Sequence, residues 1–229
     1  MSDASIAAQA SSGRDTDGAA LSDLRRQALL FLVTAVVFFP LIFNPLAFGF
    51  FGQESETELL VFVEDNFAAL RLLFTGIGLT ELALGVALWL WGRQVAAHTP
   101  GRRATVAQVA GWVGLASGVL SLASRLSGWF EDAEEVAGGD LSPLEWLFAP
   151  AFGGFSVSII AFGVLMVMGA MPTWMGLAWI ASGVLAWVGI LPFWFFAAAL
   201  ALGIWGLVRL RPGQASAQQV SAVRAASAT

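Results

Sequence analysis

Residues 171–210 decide the fold, and they read MPTWMGLAWIASGVLAWVGILPFWFFAAALALGIWGLVRL, with Arg209 as the only charged residue. A helix rises about 1.5 Å per residue, so one straight helix of this length would measure about 60 Å, twice the ~30 Å hydrocarbon thickness of a bilayer. The run is interrupted at residues 189–192. We therefore predict two membrane spans, one from Pro172 and one from Pro192, joined by a tight hairpin.

Four further apolar segments lie upstream, and each is long enough to cross a bilayer, which takes about 20 residues. They are residues 28–51, 67–91, 106–129 and 144–170. The chain is therefore predicted to be all-α, with a bundle of six transmembrane helices over residues 23–211. The polar, small-residue segments 1–22 and 212–229 are predicted to be disordered cytoplasmic tails, and the first has no apolar core typical of a secretory signal.

Composition limits the chemistry that this chain can perform. The chain is 58% hydrophobic and only 12% charged, whereas a soluble domain is about a quarter charged. We therefore expect lipid rather than nucleic acid as its surroundings. It contains no cysteine and no lysine, and its single histidine is His98. These absences exclude a thiolate metal site, a retinal Schiff base, bis-histidine haem ligation and a Ser–His dyad, so we expect no cofactor, no metal and no catalytic residue.

The arginines predict how the chain is oriented. The positive-inside rule places arginine-bearing short loops in the cytoplasm. In a six-span arrangement seven arginines fall on one side: Arg25, Arg26, Arg93, Arg102, Arg103, Arg209 and Arg211. The opposite loops, around residues 54–65 and 131–145, carry acidic residues instead. Both termini are therefore predicted to be cytoplasmic. The abundance of alanine, with arginine in place of lysine, suggests a high-GC bacterial genome, so we expect the six spans to make this a multi-pass protein of a bacterial plasma (inner) membrane.

Glu81, near the middle of the second span, is the strongest candidate for a functional residue. A carboxylate at this depth is costly, and such residues usually face a bundle interior or a water-filled cavity. It is predicted either to carry a proton or bind a ligand, or to join helices through a hydrogen bond to Ser117, Ser121 or Asn44.

A polar stripe leads from the outer surface toward Glu81. Arg71, Thr75 and Gly78 precede it at helical spacings of four and three residues, and Thr80 adjoins it. Arg125, near the outer end of the third span, lies at the same depth as Arg71. This pattern suits an outward-opening pocket whose mouth receives an anionic group. It equally suits a polar seam between helices, with the arginines in salt bridges.

Other motifs predict local structure. Pro40 and Pro45, around Asn44, are expected to bend the first span. Small residues at a four-residue spacing are predicted to pack helices closely, and they are Gly114 with Gly118 and Ala178 with Ser182. Residues 55–63 begin with a capping box and are expected to form an interfacial helix or an extension of span 2. Six tryptophans are predicted to lie in interfacial belts: Trp89, Trp91, Trp129, Trp146, Trp174 and Trp194.

The carboxyl-terminal half carries a resemblance. Residues 163–169, the Pro-x-Trp-x-Gly motif at 172–176 and residues 200–209 resemble small uncharacterised bacterial polytopic membrane proteins of the domain-of-unknown-function type. The resemblance covers residues 155–211 and implies no particular activity.

Two functional classes follow from these patterns. The first is a small-solute or proton-linked transporter, or a receptor-like bundle, with its pocket around Glu81. The second is a non-catalytic accessory or scaffolding subunit that docks onto a membrane-protein partner or forms a homo-oligomer. An enzyme is the least favoured class.

Overall fold

The computed structural model describes residues 25–138, 145–169, 171–189 and 193–209. The predicted tails 1–22 and 212–229 and the turn at residues 190–192 lie outside these ranges. Within the described ranges the chain is helical, without strands. The α-helices are α1 Arg25–Ile42, α2 Pro45–Phe51, α3 Glu56–His98, α4 Arg102–Leu126, α5 Ala133–Gly138, α6 Phe148–Val167, α7 Thr173–Gly189 and α8 Phe193–Arg209.

Four helices are long and apolar enough to cross a bilayer, namely α1, α3, α4 with its short 3-10 extension to Trp129, and α6. The all-helical class predicted from the sequence is therefore confirmed, and these four helices are candidate membrane spans. Helices α7 and α8 are equally apolar but shorter. Large apolar side chains point outward on the long helices, as at Val36, Leu79 and Val157, each about half exposed or more. An exposed apolar surface of this kind is typical of helices that face lipid or another protein.

Local signals set the ends of these helices. The Ser55 hydroxyl accepts a hydrogen bond from the Glu58 amide at 3.3 Å, and the helix then runs without a break to His98. The segment 55–63 is thus an extension of the second span and not a separate helix. Its 43 residues correspond to about 65 Å, about twice the ~30 Å thickness of a bilayer's hydrocarbon layer. The turn into α4 uses Gly101, whose φ of 69° favours glycine.

The first span is interrupted where prolines and Asn44 cluster. Helix α1 ends at Ile42, and α2 begins at Pro45, with Asn44 as its N-cap. The Asn44 side chain accepts from the Ala47 amide at 2.9 Å and donates to the Leu41 carbonyl at 2.6 Å. One side chain thereby satisfies two backbone groups that the break would otherwise leave unpaired.

Six helices form a closed ring in the order α1, α3, α4, α6, α7, α8. Extensive contacts join consecutive members from α3 to α8. Helix α1 closes the ring, since Phe38 stacks on Phe196 of α8 with ring centroids 3.7 Å apart and Phe31 meets Trp91 of α3 at 5.2 Å. Trp179 of α7 lies 5.4 Å from Trp91, so aromatic rings fill the centre.

This central cluster departs from the predicted tryptophan belts at one position. Trp91 is only 7% exposed and packs inside the bundle, so it is not part of an interfacial belt. Trp129, Trp146 and Trp174 are all exposed, as a belt would require. The position of Trp91 along α3 gives its depth, which a belt residue and a core residue can share. Whether the side chain faces the surface or the core depends on how α3 is rotated about its axis.

Candidate functional site

The site lies between α3 and α4, whose backbones approach closely along a row of glycines. On α3 these glycines recur every seven residues, and on α4 they alternate at three and four. They are Gly78, Gly85 and Gly92 facing Gly111, Gly114 and Gly118. A Cβ atom added at Gly85 would lie 2.6 Å from the Gly114 carbonyl oxygen, a distance that no side chain tolerates. The seven-residue period keeps this row facing the partner helix over many turns.

Glu81 is buried in this seam, with 2% of the residue exposed. The Ser121 hydroxyl donates to its Oε2 at 2.6 Å, and Arg125 Nε approaches the same oxygen at 3.5 Å. Ser121 and Arg125 are one turn apart on α4, so both reach the carboxylate from one face. Of the three partners considered for Glu81, Ser121 makes the bond, since Ser117 donates to its own helix at Val113 and Asn44 caps α2.

Arg125 reaches Glu81 because Gly78 leaves room for it. A Cβ atom at position 78 would lie 3.0 Å from the Cβ atom of Arg125, so a larger residue would obstruct the arginine stem. The guanidinium lies 5.0 Å from the centre of the Phe148 ring and 5.9 Å from that of Phe74, distances at which aromatic faces attract a cation. The Arg125 side chain remains 22% exposed, against 3% for Glu81.

Arg71 belongs to a second cluster, nearer the amino-terminal end of α3. Its Nε donates to the Gly128 carbonyl at 2.8 Å and its Nη2 to the Glu131 carbonyl at 2.7 Å. Its guanidinium also lies 3.9 Å from the centre of the Phe67 ring. Arg71 therefore fastens the segment after α4 to α3, and two of its donor groups are already occupied.

Thr75 extends the same cluster by one turn. It donates to the Arg71 carbonyl at 2.8 Å and accepts from the Trp129 indole N–H at 2.8 Å. Thr80 makes no comparable link, because its hydroxyl donates to the Ile77 carbonyl of its own helix at 2.7 Å. The five predicted site residues thus divide into the Glu81–Arg125 pair, the Arg71–Thr75 cluster and Thr80.

Sequence reasoning missed several members of these clusters. Trp129 is exposed, as the predicted belt requires, and it also donates its indole N–H to Thr75. Backbone carbonyls of the segment after α4 serve as the acceptors for Arg71. The spacing Ser121-x-x-x-Arg125 on a helix facing a buried acid was a usable signal. Nothing in the sequence indicates the two carbonyls, because any residue supplies one.

The other predicted packing residues lie elsewhere in the ring. Gly114 and Gly118 belong to the seam described above. Ser182 is buried and Ala178 is half-buried on α7. The closest backbone approach between α6 and α7 occurs at Gly163 and Gly176, where a Cβ atom on either glycine would meet the carbonyl of the other.

The residues that the structure describes contain no group of three histidine, aspartate or glutamate side chains able to hold a metal ion. The chemistry within reach of Glu81 is therefore that of one carboxyl, one hydroxyl and one guanidinium. The chain matches no protein-family model, no curated protein and no solved structure.

Proposed function

We propose that this chain crosses a bacterial plasma membrane six times, with both termini in the cytoplasm. The antiparallel pairing of the ring supports this. Along α3 and α4, Gly78 faces Arg125 whereas Gly92 faces Ala107, and along α1 and α8, Ala28 faces Gly206 whereas Phe38 faces Phe196. Alternating directions through six helices bring the first and last ends to the side that carries the arginines.

The two shorter helices fit this arrangement because they lie beside full spans. Helix α7 contacts α6 from Gly163, opposite Gly176, to Ser156, opposite Gly183. The Trp179 indole N–H of α7 donates to the Ala198 carbonyl of α8 at 3.1 Å. Seventeen residues in each helix reach about 26 Å, and 17 residues is the lower limit for a span. Both helices are therefore just long enough to cross the bilayer beside α6.

We further propose that the protein is a non-catalytic accessory or scaffolding subunit. The observation that carries this proposal is the closure of Glu81 inside the α3–α4 seam. The polar stripe from Arg71 to Glu81 is covered by α4 and by the segment after it. Glu81 Oε2, the Thr75 hydroxyl and two Arg71 donors form hydrogen bonds within the protein. This arrangement stabilises and orders two long helices, as an assembly platform requires.

A surface suited to docking lies on the opposite side of α4. Exposed apolar residues recur there at intervals of three and seven, and they are Val106, Val109, Trp112 and Val119, each between 44% and 58% exposed. Such a ridge fits a second helix in the bilayer, from another copy or from a membrane-protein partner, through shape and not through a hydrophobic driving force.

Crosslinking tests this proposal directly, because the natural chain contains no cysteine. Trp112→Cys on α4 is expected to form a covalent adduct in native membranes with a short bis-maleimide. Leu177→Cys on α7, which is 56% exposed against 58% for Trp112, is the matched control and is expected to stay uncrosslinked. Equal crosslinking at both positions would contradict docking through α4. Crosslinking at neither would contradict docking of a second copy there, since a second copy carries the same introduced cysteine.

A proton-linked transporter is the second candidate, and one observation favours it. Arg125 contacts Glu81 at 3.5 Å, a long distance for a charge-assisted bond, and its side chain is 22% exposed. A small movement of Arg125 would connect a buried carboxylate with the outer surface. Proteoliposomes holding a pH-sensitive dye distinguish the candidates, because only a transporter gives a proton flux that Glu81→Gln removes.

A further inference from the structure

Gln108 is a polar residue on the outward face of α4, well inside the length of the helix. It is exposed and lies six residues, or about 9 Å, beyond the start of α4 at Arg102. On the neighbouring helix, Ser158 donates to the Ala110 carbonyl at 2.8 Å, and α6 continues for nine residues to Val167. The Gln108 side chain therefore lies about 10 Å inside the ends of both helices.

An amide at this depth in a membrane needs a hydrogen-bonding partner. Within the part of the chain that the structure describes, the Gln108 side chain forms no hydrogen bond. Hydrocarbon tails offer neither a donor nor an acceptor, so a glutamine that faces lipid favours association with a helix that supplies both. The face of α4 that carries Gln108 is thus suited to a partner with a polar group at the same depth.

Gln108 begins a stripe of exposed and half-buried residues along α4. Trp112, Leu115 and Val119 follow it at spacings of four, three and four, which is the repeat by which two parallel helices pack side by side. Trp112 is 58% exposed and Val119 is 52% exposed, and Leu115 is half-buried. Among the residues of this stripe only Gln108 can hydrogen-bond across an interface without turning away from it.

The charges of α4 permit two identical faces to meet. Residues 104–124 contain no charged side chain. Arg103 donates to the Met168 carbonyl after α6 at 3.2 Å, which holds it on the side of α6. Arg102 is exposed at the very start of the helix, where water and salt screen the repulsion between like charges.

We propose that two copies of this chain associate in parallel through this stripe, with the two Gln108 side chains hydrogen-bonded to each other. Copies in one membrane share one orientation, so a twofold axis along the membrane normal brings the same residue of each copy to the same depth. A carboxamide carries both a donor and an acceptor, so two glutamines satisfy each other. This inference rests on the proposed docking through α4 and names its partner as a second copy.

Energy transfer between copies of the purified full-length protein in phosphatidylcholine vesicles tests this inference. Donor and acceptor dyes would be attached to His98→Cys, an exposed position in a chain without cysteine. Energy transfer is expected to fall along a monomer–dimer curve as the protein is diluted in lipid. Gln108→Leu, which removes the amide at similar size, is expected to weaken dimerisation about tenfold. Gln108→Asn retains an amide and is expected to lose less.

A bulky substitution on the stripe provides the second arm of the test. Val119→Trp is expected to weaken dimerisation at least as much as Gln108→Leu. Val184→Trp on α7 is the matched control, since Val184 is 50% exposed against 52% for Val119, and it is expected to leave dimerisation unchanged. Equal effects of the two tryptophans would place the interface elsewhere and overturn the proposal.

Two other results would also overturn it, namely unaltered dimerisation of Gln108→Leu and a monomer at every dilution. A monomer would leave the proposed docking of a different protein through α4 intact. In that case the Trp112→Cys adduct in native membranes would have a mass other than twice that of the chain, whereas a second copy gives twice that mass.

Discussion

Replacing Gly85 by alanine is the most direct perturbation of the α3–α4 seam. The added Cβ atom would lie 2.6 Å from the Gly114 oxygen and 3.2 Å from the Gly118 Cα atom. Bringing the first distance to 3.4 Å, where ordinary contact begins, requires the two backbones to separate locally by 3.4 − 2.6 = 0.8 Å. Overpacking of this kind costs about 1–3 kcal/mol. The separation would also lengthen the Ser121–Glu81 hydrogen bond, one turn away.

Gly153→Ala on α6 is the matched control. Its new Cβ atom would meet only the Trp187 ring, at 3.6 Å, and both substitutions gain the same helix propensity, about 1 kcal/mol. In mixed micelles titrated with dodecyl sulfate and followed by circular dichroism, Gly85→Ala is therefore expected to be about 1–3 kcal/mol less stable than Gly153→Ala. Equal stability of the two variants would refute the close-packed seam.

Two further predictions concern the polar clusters. Arg125→Gln is expected to destabilise the protein more than Glu81→Gln, because it leaves a carboxylate that is 3% exposed without its cation, whereas an arginine 22% exposed still reaches water. Removing one member of a buried pair costs about 3–5 kcal/mol, and equal losses in the same unfolding titration would contradict this asymmetry. Trp129→Phe is expected to cost about 1 kcal/mol by deleting the hydrogen bond to Thr75. Trp146→Phe, at a residue 67% exposed, should cost nothing measurable, and similar losses for both would contradict the role of Trp129.

Much of the architecture could be predicted from the sequence, because a helix that crosses lipid must be long and apolar and must end at recognisable capping or breaking residues. Long apolar runs, the proline and asparagine cluster at residues 40–45 and the capping box at Ser55 each have one local physical meaning. The extension of α3 toward its acidic end needed the structure, since an interfacial helix and a longer span share the same sequence pattern.

The composition of the seam was harder to predict, because it depends on how each helix is rotated. The sequence places Gly78 in the polar stripe that leads to Glu81. Its use, making room for the Arg125 stem, depends on a residue 47 positions away along the chain. The predicted belts place Trp91 and Trp129 by depth alone, whereas tertiary contacts determine what each side chain packs against or bonds to. Glycine and tryptophan are common in membrane helices, so the presence of either residue does not predict which residue it contacts.

Cysteine accessibility in intact cells is the most direct test of the six-span bundle. Single cysteines at Glu58, His98 and Gly189, in a chain that otherwise has none, would be exposed to a membrane-impermeant maleimide before and after lysis. We predict labelling of positions 58 and 189 in intact cells, and of position 98 only after lysis. Labelling of position 98 in intact cells would contradict the orientation. Protection of position 189 until lysis would mean that α7 does not cross the membrane.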